Sequence, residues 1–356
     1  MEIKPDIETF ARIKVVGVGG AGNSTVNRMI ATRVRGIEFV SINTDAQALH
    51  HSDAPRKVHI GKDATRGLGA GADPEIGRKA AEESTDDIHE ALRGADMIFL
   101  VAGEGGGTGT GATPTIAQIA REVGALTIAV VTKPFAFEGE KRRRVAEEGL
   151  TDLRDKVDTL ITVPNDRLLQ IIDRKTSLID AFAVVDDVLR QGVQGISDLI
   201  TVNGLINVDF ADVKAIMGAG GATLMGIGTG TGENRAVEAA KAAIDSPLLE
   251  LSVEGAKGVL FNVTGGRDLG MHEIDQAAKV ITDAVDPDAQ IIFGAVIDDS
   301  LAGDMKITVI ATGFDGKERH PASNPLVKPE TRRVEYNSDS EDDELDVPAF
   351  IRRQMQ

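Results

Sequence analysis

The sequence predicts an α/β protein: a doubly wound parallel-sheet domain, a long central helix, a second, smaller α+β domain and a disordered C-terminal tail. Three observations lead there. Short apolar, β-rich runs alternate with helical patterns through the first half. A single long helical pattern follows, and beyond it the texture turns strand-rich. After Gly316 the pattern collapses into Lys, Glu, Pro, Ser and Asp.

In order, the strand-like runs are Ile13–Gly17, Glu38–Ile42, Met97–Ala102, Thr127–Val131 and Leu160–Val163. Several are nearly continuous hydrophobics, as expected of parallel strands covered on both faces. Helical patterns fall between them: Gly22–Arg35, Pro74–Arg93, Thr113–Val123, Gly139–Lys156 and Asp166–Asp173. From Ser177 to Ile200, apolar residues Ile179, Phe182, Val185, Leu189, Val193 and Ile196 recur at spacings of three and four, so this helix should be buried between two domains. Strands are then expected at Thr223–Ile227, Gly258–Val263, Ile291–Ile297 and Met305–Thr312, with helices at Asn234–Ile244 and Met271–Ala284. The divisions are residues 1–176, 177–204, 205–315, an acidic linker at 316–345 and a terminal peptide at 346–356. The linker contains Ser338-Asp339-Ser340-Glu341-Asp342-Asp343-Glu344, too polar to order itself.

Composition narrows the partners. With 56 acidic against 39 basic side chains the net charge is −17, so most of the surface repels nucleic acid and anionic membranes. There is no cysteine, hence no disulfide or thiolate site. The apolar runs fall short of the roughly 20 residues that span a bilayer, and the N-terminal residues lack a signal-peptide core. A cytoplasmic location without direct membrane insertion is expected.

The strongest local signal is Gly103-Glu104-Gly105-Gly106-Gly107-Thr108-Gly109-Thr110-Gly111, six glycines in nine positions between a strand and a helix, with Pro114 expected in the first helical turn. Glycines let the backbone approach a ligand with its N–H groups inward, and a helix N-terminus adds positive potential, which together suit phosphate. No Lys-Ser/Thr pair follows, so this is not a Walker-type loop. A second element, Gly17-Val18-Gly19-Gly20-Ala21-Gly22-Asn23, satisfies the G-x-G-x-x-G fingerprint, with Asp45 about 20 residues on. Alone it would indicate an NAD-dependent oxidoreductase. A nucleoside triphosphate held by both loops uses the two together, with Asn43-Thr44-Asp45 nearby and Gly67–Gly71 placed to close over it.

Glu138 and Arg142, at i and i+4, read equally as a surface ion pair. Phe182 and Asp186 could stack on a base and accept from guanine, or could be a core ring beside an exposed acid. In Asn207-Val208-Asp209-Phe210-Ala211-Asp212, Asp209 suits a helix cap with Asp212 as its capping-box partner, or the acids could polarise a water. The central helix should hold them roughly 35 Å from the phosphates. They could reach only a neighbouring copy's nucleotide.

Taken together these motifs resemble the bacterial cell-division FtsZ family, homologues of tubulin, from about Ile13 to Phe314 and again at the terminal peptide. The specific signature is Gly105–Gly111 combined with Asn207–Asp212; Asn43–Leu49 and Pro164-Asn165-Asp166 also match. The resemblance implies a GTPase that uses GTP with Mg²⁺ and polymerises head to tail into the division-site filament. It implies nucleotide contacts from Gly20, Ala21, Gly22, Asn23, Ser24, Asp45, Gly106, Gly107, Thr108, Gly109 and Thr110. Glu138 and Arg142 would lie near the ribose and phosphates, and Asn165, Phe182 and Asp186 would hold guanine. Asn207, Asp209 and Asp212 would complete the active site of the adjacent subunit. The peptide Asp346–Arg353 would bind membrane-tethering division proteins such as FtsA, and other regulators. A tubulin-like filament protein without hydrolysis is the other alternative. Three departures stand out: Glu104 where Met is common, Asp187 where Asn is common, and Ser24 for Asn or Ala. A carboxylate at Glu104 is expected to weaken nucleotide binding or alter turnover.

Overall fold

A computed structural model describes residues 11–34, 36–169, 175–202, 204–206, 208–218, 222–246, 252–301 and 303–314. The acidic linker, the terminal peptide and Asn207 therefore lie outside the described residues, as does the end of the helix expected to reach Asp173.

The first half supplies strands β1 (Ile13–Val18), β2 (Ile37–Asn43), β3 (Arg56–His59), β4 (Met97–Gly103), β5 (Leu126–Lys133) and β6 (Thr159–Pro164). The second supplies β7 (Ala222–Thr231), β8 (Gly258–Gly265), β9 (Gln290–Ile297) and β10 (Asp304–Thr312). Helices in the first half are α1 (Gly19–Ala31), α2 (Ala46–His50), α3 (Lys62–Thr65), α4 (Pro74–Glu83), α5 (Thr85–Leu92), α6 (Thr108–Glu122), α7 (Glu140–Arg154) and α8 (Asn165–Leu168). The central helix is α9 (Leu178–Thr201), and α10 (Phe210–Met217), α11 (Arg235–Ile244) and α12 (Met271–Thr282) follow.

All ten strands form one sheet in the order β3-β2-β1-β4-β5-β6-β7-β10-β8-β9. Strands β1 to β6 are parallel, in the doubly wound order that reverses between β1 and β4. The join to the second half is short: β6 pairs with β7 only at Leu160↔Ala222 and Ile161↔Thr223. Strand β10 then runs antiparallel to β7 and β8, and β9 lies parallel to β8.

Alternation of side chains sorts the parallel strands onto two covered faces. Val15, Phe99 and Ile128 pack with Val26 and Met29 of α1 and with α9, whereas Val16, Leu100 and Val131 pack with Ile88, Ile116 and Leu150 of α5, α6 and α7. A third cluster joins Val259, Phe261 and Ile307 to α11 and α12. The central helix belongs to both halves. Its Val185, Leu189, Val193, Ile196 and Leu199 share one cluster with Ile128 of β5, Leu260 of β8 and Ile310 of β10.

Several expectations need correction. Ile179 is 81% exposed and Phe182 42%, so the first turns of α9 do not continue the buried stripe. Helix α6 begins at Thr108, not Thr113, so Pro114 lies inside the helix rather than in its first turn. The glycines did not stop that helix because α4 packs tightly on it: a Cβ at Gly111 would lie 1.9 Å from the Pro74 carbonyl oxygen. The helix expected over Pro74–Arg93 is two, broken at Ser84, whose hydroxyl accepts from Gly61 N–H at 3.0 Å. The edge strand β3, with sequence RKVH, had no apolar run to reveal it.

Truncating Ile196, which is fully buried between the two halves, tests this arrangement. Ile196→Ala should lower unfolding free energy by about 2–5 kcal/mol, measured as a shift in denaturation midpoint at unchanged slope.

Candidate functional site

The reversal of strand order between β1 and β4 opens a crevice at the C-terminal ends of the strands, where doubly wound sheets place ligands. Both glycine-rich elements sit there. The first links β1 to α1 and the second links β4 to α6. Neither helix has a side-chain cap, and neither carries an acid in its first turn. Two sets of unclaimed N–H groups and two positive dipole ends therefore meet at one place, the arrangement that favours a multiply charged anion.

The crevice is a cavity of about 430 Å³, lined by Gly20, Ala21 and Ser24 from α1, and Gly106, Gly107, Thr108 and Gly109 at the start of α6. Its wall includes Glu138 and Arg142, with Asn165, Phe182 and Asp186. The glycine-rich loop is tied in place. Gly105 takes φ +93°, which an L side chain would resist, and its N–H donates to Thr110 Oγ1 at 2.9 Å. Glu104 N–H donates to the Thr132 carbonyl at 2.9 Å. Thr108 Oγ1 lies 2.6 Å from Thr44 Oγ1, joining this loop to the end of β2.

The polar wall is partly pre-paired. Arg142 forms its ion pair with Glu138, which also accepts from Phe135 N–H at 3.0 Å. Phe182 meets Phe135 edge-on with ring centroids 5.7 Å apart, leaving the 42%-exposed Phe182 ring to the cavity. Asp186 accepts from Thr25 at 2.8 Å and has Arg28 Nε 3.7 Å from its other oxygen. Burial pushes the Asp186 carboxyl above its usual range, with Thr25 and Arg28 pulling the other way. Its neighbour Asp187 turns aside to Arg190 and Gln191; burial raises this carboxyl, but those donors outweigh it and hold it low. Asn165 is buried with its Oδ1 unmatched by a protein donor, a group free to meet a ligand.

Four expected contact residues support the cavity without lining it. A Cβ at Gly22 would lie 2.2 Å from the Val101 carbonyl oxygen, so this glycine lets α1 press onto β4. Asn23, with its amide nitrogen oriented to the Gly17 and Gly19 carbonyls at 2.8 and 3.2 Å, braces the turn and accepts from Asn43. Asp45 caps α2 by accepting from Gln47 and Ala48 N–H. Thr110 closes the loop, as above. Conversely, Pro134, Thr132, Val185 and Leu189 line the cavity and were not picked out beforehand. Leu189 lies at i+3 from Asp186, and Val185 at i+3 from Phe182, so helical spacing from those residues was the available signal.

Asp209 and Asp212 are elsewhere. Both are exposed, and Asp209 accepts from Asp212 N–H at 2.8 Å as the N-cap of α10. Helix α10 is anchored at the opposite edge of the sheet: its Met217 carbonyl accepts from the hydroxyl of Thr159, the first residue of β6. The cavity touches Asn165, just past the other end of that strand. Among the described residues, no three His, Cys, Asp or Glu side chains converge on a metal site.

Residues 12–173 match the tubulin/FtsZ family GTPase domain, and residues 221–315 match the FtsZ family C-terminal domain. An empty FtsZ dimer from M. jannaschii is 46% identical with TM-score 0.83, the match covering 86% of this chain and 89% of that one. The chain belongs to the FtsZ family. A mutant FtsZ from the same organism is 47% identical over 86% of this chain and 92% of that one, again with TM-score 0.83. At 22% identity, CetZ2 from Haloferax volcanii, described as a GTPγS-bound protofilament, shares the fold over 86% of this chain and 95% of its own, with TM-score 0.72. The FtsZ-family GTPase domain contains every cavity-lining residue from Val18 to Asn165; those on α9, from Phe182 to Leu189, lie beyond its matched end.

Because Gly22 holds α1 against β4, Gly22→Ala should push α1 outward. A loss of about 1–3 kcal/mol is expected, seen as a lowered thermal midpoint of the nucleotide-free protein.

Proposed function

We propose that this FtsZ-family chain binds GTP in the cavity, polymerises head to tail, and hydrolyses GTP at sites completed between neighbouring copies. One observation carries the reading. The cavity lies at the C-terminal ends of the parallel strands, whereas α10, which Asp209 caps, is tied by its last residue Met217 to the first residue of β6 at the other end, so copies stacked in one direction would bring the exposed acids of one toward the cavity of the next.

In this reading the triphosphate lies on the N-termini of α1 and α6, contacted by Gly20, Ala21 and Ser24 and by Gly106–Gly109, while Gly22, Asn23 and Thr110 hold those segments in place. Asp45 and the Gly67–Gly71 stretch flank it. Guanine packs on Phe182, with Asp186 accepting from its N1 and N2 groups and Asn165 beside it. Arg142, paired with Glu138, faces the ribose and phosphates. Mg²⁺ would be held largely by phosphate oxygens and water. It would neutralise charge on the phosphates. The neighbour's Asp209 and Asp212, with Asn207, orient a water and accept its proton as the water attacks the γ-phosphorus and the β–γ bridging bond breaks. GDP and phosphate result.

As a family member the chain would serve in the division ring, on the cytoplasmic side of the membrane. Asp346–Arg353 would dock on membrane-tethering division proteins such as FtsA and on other regulators. No helix among the described residues is long and apolar enough to cross a membrane.

Phosphate release and light scattering, followed over a series of protein concentrations with GTP and Mg²⁺, test the shared site. The rate per chain should rise from near zero above a threshold; a rate independent of concentration would place a complete site in one chain. Asp212→Ala should still bind GTP yet lose turnover, and should depress mixed samples more steeply than dilution. Assembly with an unchanged rate in that variant would favour a filament protein that does not use these acids. Asp186→Asn should weaken GTP by roughly tenfold or more, as expected for losing a charge-assisted hydrogen bond, while leaving the fold intact. Nicotinamide binding without GTP turnover would instead support the dinucleotide reading.

A further inference from the structure

Glu104 is the one side chain of the glycine-rich loop that the proposed mechanism leaves unused. Glu104 is among the residues that line the cavity, and both of its carboxyl oxygens are buried. The carboxyl rests against α7 where that helix has no side chain: a Cβ at Gly149 would lie 2.8 Å from Glu104 Oε2 and 2.2 Å from Thr110 Cγ2. Gly149 thus makes the notch that the carboxyl fills. Neither carboxyl oxygen has a protein hydrogen-bond partner of good geometry, and the hydroxyl of Thr110 is the one polar group that acts on it.

Among the described residues, no cation is paired with the Glu104 carboxyl. On α7, Arg142 pairs with Glu138, Glu148 faces Arg144 and Asp152 pairs with Lys156. On α4, which packs on α6, Arg78 is taken by Glu75 and Glu82. Lys133 follows Thr132 on β5. Burial is the main influence on the carboxyl, pushing it up, and Thr110 is the lesser, opposing one. A buried carboxylate without a partner is costly, so the neutral acid is the form that fits this notch.

We infer that Glu104 is a positioning residue that must be protonated for tight GTP binding, so that its ionisation weakens nucleotide affinity from beneath the phosphate loop. The inference rests on GTP occupying the cavity. Burial pushes the Glu104 carboxyl up to about 7, which places the change in the neutral range. The sign follows. Below that value the acid is neutral and the two helix N-termini act on the phosphates unopposed. Above it, a negative charge lies two residues from Gly106 and repels them. By linkage, bound GTP favours the protonated acid and takes up a proton in the window where the free protein is ionised.

The test is GTP and GDP affinity from pH 6 to pH 9, by calorimetry on the full chain, with Glu104→Gln as an uncharged isostere and Glu104→Leu as an apolar second variant. Wild-type affinity should fall about tenfold or more relative to the variants as pH rises, the size of one pKa unit of coupling. Comparison with the variants removes the nucleotide's own titration. Binding in two buffers of different ionisation enthalpy should show proton uptake near pH 8 in wild type and less in both variants. Parallel pH profiles for all three proteins would overturn the role of Glu104 while leaving GTP binding intact. Failure of all three to bind GTP at any pH would overturn the nucleotide reading itself, and this inference with it.

Discussion

Two helix N-termini that face the same point are the constraint on which the rest of the site depends. Helices α1 and α6 leave strands β1 and β4 where the sheet changes winding direction, and each begins without a capping side chain. Unpaired N–H groups in a buried crevice are costly unless something accepts from them. The chain leaves them for a ligand. The surrounding features serve this: Gly22 brings α1 onto β4, Gly111 brings α6 onto α4, and Thr44 and Thr108 join the second glycine-rich loop to the end of β2. In a protein of net charge −17, such fixed dipoles attract an anion without free lysines or arginines in the loops themselves.

The central helix converts that local site into a property of the whole molecule. Its first half presents Phe182 and Asp186 to the cavity, and Val185, Leu189, Val193, Ile196 and Leu199 along its length are core to both halves. Movement of α9 along its axis would be felt in β5 and in β10 alike, because residues of both pack in one cluster with it. The strand pairing between the halves is two residues long, and this helix adds a second connection through the shared cluster.

Much of the fold was legible in the sequence because parallel strands buried on both faces leave continuous apolar runs, and each of the five expected in the first half lies inside an observed strand or within a residue of one. Strand β3 escaped because an edge strand can be short and charged. The true start of α6 escaped because propensity counts glycine against a helix, whereas here tight packing on α4 demands it. Periodicity recognised α9 but not where the sheet beneath it ends, so Ile179 and Phe182 read as core. The two loops stood out by glycine content alone, and the structure brings both to one cavity. Placing Asn165 and Asp186 beside them required the family resemblance, because long-range neighbours leave no local trace. Asp209 illustrates a different limit: helix capping, inferred from spacing, is real in the structure, and it leaves an exposed oxygen-bearing side chain that other chemistry could also use.

The separation of cavity and acids across the sheet also sets a stoichiometry. On the proposed reading, a linear stack of n copies contains n cavities but only n − 1 junctions, and the copy at one end holds a nucleotide that nothing can attack. A pair of copies would turn over at no more than half capacity, long stacks would approach full capacity, and closing a stack into a ring would activate every site. The two ends of any open stack are chemically unlike, one offering nucleotide and the other bare carboxylates. Direction, lifetime at each end and the benefit of closure would thus all follow from placing two parts of one site at opposite ends of the same strands.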